Sequence, residues 1–123
     1  MSVEFVPPAL PSPLRVLVLG SATDGWYQAD PDEQARVLGR FKDMLADWLS
    51  LGARCLATLD DDLFVVGASA TTGFTWYLMF EVERPETVVA MLQAVREAKN
   101  GVRMDSYVRF EARLGRPFFL LEP

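Results

Sequence analysis

The strongest strand signal lies between Thr75 and Glu83, read TWYLMFEVE. Side chains alternate across a strand, so Trp76, Leu78, Phe80 and Val82 share one face, and Tyr77, Met79, Glu81 and Glu83 share the other. Tyr107 to Leu114 repeats the pattern, with Val108, Phe110, Ala112 and Leu114 opposed to Tyr107, Arg109, Glu111 and Arg113. Leu14 to Leu19 (LRVLVL) is apolar almost without a break, which predicts a central strand buried on both faces. Ala53 to Leu59 is a further strand. Asp60-Asp61-Asp62 interrupts it as a solvated turn that matches no EF-hand loop, and Leu63 to Val66 resumes an extended pattern. Gly67 to Gly73 (GASATTG) is small and polar, a flexible connection.

Two stretches have the period of a helix instead. Asp30-Pro31-Asp32-Glu33 is a helix start: Asp30 caps, Pro31 suits the first helical position, and Glu33 can complete a capping box. Leu38, Phe41, Leu45, Trp48 and Leu49 follow at helical spacing, and Gly52 stops the helix after about 30 Å. Pro85 starts the second helix, with Val88, Met91, Leu92 and Val95 as its buried stripe. Lys99 sits in its last turn and Asn100-Gly101 ends it. Between the first strand and the first helix, Gly20 to Asp30 reads as a loop. Its adjacent Trp26 and Tyr27 either wall a pocket or cap the core.

The ends of the chain have a different character. Residues 1–13 carry Pro7, Pro8, Pro11 and Pro13, which forbids a helix and suits an extended tail. Gly115-Arg116-Pro117 breaks the last strand, with Arg116 expected to tie that turn to the body. Phe118 to Leu121 then forms an apolar arm that must be covered by something. Residues 14–123 thus read as one domain.

Composition narrows the chemistry. Half of the 123 residues are hydrophobic, enough for a core without staples. The net charge is −5 and arginine and lysine are scattered, which argues against nucleic acid. No histidine occurs, which removes the commonest general base and metal ligand, and no metal site is expected. Cys55 is the single cysteine, excludes an internal disulfide and reads as a buried, inert thiol. The N-terminus lacks the basic-then-apolar layout of a signal peptide, and no apolar run approaches a membrane span, so a cytoplasmic protein is expected.

The order strand, helix, strand, strand, helix, strand predicts an α+β fold: a ferredoxin-like βαββαβ unit, a four-stranded antiparallel sheet with two helices on one face. The uncovered face must meet water or another sheet, which predicts a two-fold homodimer. The element order, together with W-Y-L-M-F-E-V over Trp76–Val82 and Y-V-R-F-E-A-R-L-G-R-P-F over Tyr107–Phe118, resembles the dimeric α/β-barrel superfamily. Within it, residues 14–119 are similar to small proteins found beside indole-acetate and aromatic-degradation enzymes. More distant relatives are YCII-related proteins, muconolactone isomerases, ethyl-tert-butyl-ether-degradation proteins and quinone-forming monooxygenases. The resemblance implies a small aromatic or polyketide-like ligand and a setting in secondary metabolism. The histidine of YCII-type proteins has no counterpart here.

The polar strand faces carry the candidate chemistry. If Glu81, Tyr107, Arg109 and Glu111 line one enclosed space, a carboxylate exchanges protons, an arginine holds an enolate oxygen and a tyrosine donates to an oxyanion. That set suits an isomerase or cyclase; an oxygenase without a cofactor would add aromatic walls from Trp26, Tyr27, Trp76, Tyr77 and Met79. The competing reading is structural: alternating charges such as Arg109, Glu111 and Arg113 make cross-strand ion pairs. Three functions stand: an enzyme without a bound cofactor, a non-catalytic small-molecule binding protein, and an accessory subunit docking through its apolar arm.

Overall fold

A computed structural model describes residues 13–67 and 73–121. The proline-rich tail, save Pro13, and the middle of the GASATTG connection lie outside the described residues. The elements are β1 (Leu14–Ala22), α1 (Asp24–Gln28), α2 (Pro31–Ser50), β2 (Arg54–Asp60), β3 (Trp76–Val82), α3 (Pro85–Arg96), β4 (Ala98–Lys99), β5 (Val102–Arg103), a 3-10 turn (Met104–Ser106) and β6 (Val108–Gly115). Four strands form one antiparallel sheet in the order β2-β3-β1-β6, and β4 and β5 pair as a separate hairpin. The fold is α+β and compatible with the ferredoxin-like arrangement.

The core lies between one sheet face and the two long helices. Val16, Val18, Phe80 and Val82 from the sheet meet Val37, Met44 and Trp48 of α2 and Val88, Met91 and Val95 of α3. Trp48 is fully buried, stacks edge-on against Phe80 at 5.8 Å and donates its indole N–H to the Met91 carbonyl at 2.9 Å. The alternation in β3 and β6 places these faces as expected. Gly20 of β1 lies directly opposite Trp76, and a Cβ there would fall 1.9 Å from the indole Cη2, so only glycine lets the ring lie across the strand.

Several expectations are corrected. The buried stripe of α2 is Val37, Arg40, Met44 and Trp48, with Phe41 and Leu45 half-buried, while Leu38 and Leu49 face outward. Leucine at helical spacing marked the wrong edge of the stripe, because valine, methionine and an arginine occupy its centre. Cys55 is exposed, since β2 is an edge strand with every residue exposed. Residues 63–66 are not a strand; Leu63, Phe64, Val65 and Val66 stand in solvent. α3 stops at Arg96, and Asn100-Gly101 turns the β4–β5 hairpin instead of ending the helix. Both residues have positive φ, 54° and 76°, as a two-residue hairpin turn requires. Lys99 therefore leaves the helix and reaches Asp47 of α2 at 3.5 Å. The loop expected after β1 is partly strand and partly the short helix α1.

Candidate functional site

The helices cover one face of the sheet; the other carries half-buried Arg15 and Leu17 and buried Leu19 and Ser21 of β1, beside the residues of its neighbours that share that face. Register fixes the rows. Glu81, Arg15 and Gly115 share one; Met79, Leu17 and Arg113 the next; Tyr77, Leu19 and Glu111 the third; Ser21 and Arg109 lie at the far end. On the outer side Arg54 faces Glu81, Ala57 faces Met79 and Leu59 faces Tyr77.

This register separates the expected catalytic residues. Glu81 is level with Arg15 and Arg109 with Ser21, six residues apart on β1, or about 20 Å along the strands, with a further two strand spacings, about 10 Å, across them. Glu81 accepts from the Arg54 guanidinium at 2.9 Å, and Glu111 from Arg113 at 2.9 Å. Each acid thus has a basic partner, not an apolar enclosure. Arg109 donates to the Gly73 carbonyl at 3.1 Å and lies 4.6 Å from the Phe74 ring centre, which ties the segment before β3 to the start of β6.

Tyr107 leaves the open face altogether. It follows the 3-10 turn with ψ −23°, outside the extended region, so the alternation of β6 does not reach it. Its hydroxyl donates to Glu33 of α2 at 2.9 Å. That hydrogen bond, burial and the Glu33 charge hold the phenol above its ordinary value of 10.0, against an opposing pull from Arg36. Glu33 is thereby engaged with Tyr107, while Asp30 caps α2 by accepting from the Glu33 backbone N–H at 2.8 Å.

The expected binding residues divide as well. Tyr77 and Met79 are on the open face and half-buried; the Tyr77 hydroxyl donates to Asp61 at 3.0 Å and to the Phe74 carbonyl at 3.2 Å. Trp76 is on the helix side, edge-on to Phe41 at 5.6 Å and Phe110 at 5.3 Å. Trp26 packs against the core, and Tyr27 is exposed. Trp26 alone caps the core, and neither residue lines the groove that Met79 lines. Asp61 belongs to the Tyr77 contact, and among the described residues no cluster of acidic or cysteine side chains is arranged to hold a metal ion.

Among the described residues, three grooves stand out. One of about 280 Å³ lies between α2 and the β2–β3 edge, walled by Phe41, Leu45, Leu59, Trp76 and Leu78. One of about 500 Å³ lies between α3 and the start of β6, near Leu92, Arg96, Asp105 and Arg109. The third, about 330 Å³, opens on the uncovered sheet face itself, between Arg15, Leu17, Met79, Arg113, Arg116 and Phe118. It joins an apolar floor to three arginines, and the groove beside α3 joins Leu92, Val95, Val108 and Phe110 to Arg96 and Arg109. Arg15 has its Nε shut off from solvent with no hydrogen-bond acceptor. A buried donor left so costs about 1–3 kcal/mol.

Arg15 and Leu17 were not singled out by sequence reasoning; Arg113 was assigned to cross-strand ion pairs, and pairs with Glu111 within β6 instead, and Arg116 was assigned only to bracing the last turn. A signal existed: Arg15 is the only charged residue in LRVLVL, and a charge in a central strand asks for a reason. No helix among the described residues is long and apolar enough to cross a membrane. No protein-family model matches the chain, and no curated protein is significantly similar to it.

Proposed function

We propose that the chain works as a two-fold homodimer of the dimeric α/β-barrel type, with the uncovered sheet faces turned toward each other, and that it binds a small aromatic or polyketide-like molecule between them. The observation that carries this reading is the groove on the uncovered face, where Leu17 and Met79 form an apolar floor at the middle of the sheet. Apolar residues in that position favour enclosure by a second sheet and by a ligand. The exposed arm Phe118–Leu121 beside the groove adds apolar surface that a second subunit would cover.

Binding without catalysis is the better-supported form. Glu81 and Arg109 stand at opposite ends of the sheet, and Glu81 and Glu111 are each held by an arginine. An isomerase, cyclase or cofactor-free oxygenase built on these residues would need the second subunit to bring the two ends together. Carbon-labelled methionine methyl groups give the test. A panel of neutral and charged small aromatic compounds should shift the Met79 methyl signal in the wild-type dimer. A dimer in which the whole panel leaves Met79 unmoved contradicts the reading.

A further inference from the structure

We infer that the open-face groove selects an organic anion: a carboxylate-bearing small molecule whose apolar body rests on Leu17, Met79 and Phe118 and whose charge is held by Arg15, Arg113 and Arg116. The inference rests on the proposed role of the open face and adds the class of ligand. Three arginines line the groove. Arg15 and Arg113 come from adjacent strands, two residues out of register, so their Cβ atoms are diagonal neighbours about 7–8 Å apart, within reach of long side chains. Arg116 enters from the coil that follows β6.

The anions already present do not saturate these cations. Glu111 accepts from the Arg113 Nε, and Glu81, opposite Arg15, is engaged by Arg54. The Arg15 Nε has no acceptor, and among the described residues Arg116 is in no ion pair. Gly115 lies directly across from Arg15 on β6, and a Cβ there would meet nothing within 4 Å. The space above Gly115, level with Arg15, is therefore open. A carboxylate there can accept from more than one arginine in the planar, charge-assisted geometry that guanidinium groups favour.

The experiment compares 3-phenylpropionate with its uncharged amide, 3-phenylpropionamide, titrated into the full-length protein and read at the Met79 methyl signal. The carboxylate should bind about ten-fold more tightly than the amide. Arg116→Gln, an exposed coil position that the fold does not depend on, should weaken the carboxylate by a similar factor and leave the amide unchanged. Arg15→Gln should do the same where it folds. Equal affinity for the two probes, or an Arg116→Gln protein that still prefers the carboxylate to the same degree, overturns the selection by charge and leaves the open-face reading intact. Silence of Met79 toward both probes overturns the inference, and the wider panel then decides whether the open-face reading falls with it.

Discussion

Two residues show how far a single position can redirect the chain. Tyr107 belongs by alternation to the polar face of β6, yet it bonds to Glu33 on α2. The cause is local: one residue with helical ψ after a 3-10 turn breaks the period of two. A phenol held by a carboxylate keeps its proton longer, so its folded-state pKa is raised. The stabilisation it gives is fully present below the unfolded value near 10 and is lost as pH rises through the folded one. Comparing tyrosinate absorbance in wild type and Tyr107→Phe should show that the missing phenol titrates above 10.0, and Glu33→Gln should bring it down. A missing phenol that titrates at or below that value would mean the contact does not form. Gly20 is the second case. Gly20→Ala forces the Trp76 indole from its place and should cost about 1–3 kcal/mol in urea unfolding, the range for overpacking a core. Unchanged stability would mean that the ring lies elsewhere.

At the scale of the elements, end signals were more legible than faces. Asp30 and Pro31 start α2 where the sequence says they should, and Asp30→Ala should cost about 1 kcal/mol by thermal or urea unfolding. The buried face of the same helix was misread, because Arg40 lies at its centre. Its guanidinium is buried and donates to the Ala94 carbonyl of α3 at 3.1 Å, a role that hydropathy cannot suggest. Asn100-Gly101 was also legible as a break but ambiguous in kind, since the same pair ends helices and turns hairpins. The two positive φ angles decide for the hairpin. Gly101→Val should therefore destabilise the protein by about 1–2 kcal/mol, the cost of a branched residue in the left-handed region. A neutral effect would mean that Gly101 does not hold a positive φ.

At the scale of the whole molecule, element order and strand alternation were enough to predict a four-stranded antiparallel sheet with long helices on one face. The candidate site was less legible. Alternation says which face a residue takes but not how far along the sheet it lies. Only the register shows that Glu81 and Arg109 are separated by the length of β1. It also moves attention from the acids to the arginine-lined groove over Leu17 and Met79. What remains is the face itself. Among the described residues the side away from the helices has apolar Leu17 and Met79 at its centre and an exposed apolar arm beside it, the surface that the proposed dimer would cover. Native mass spectrometry of freshly purified protein tests that most directly. The account predicts a dimer, with a small organic molecule retained under gentle conditions and lost on activation. A bare monomer at working concentration would contradict it, leaving the groove and its arginines as ordinary solvated surface.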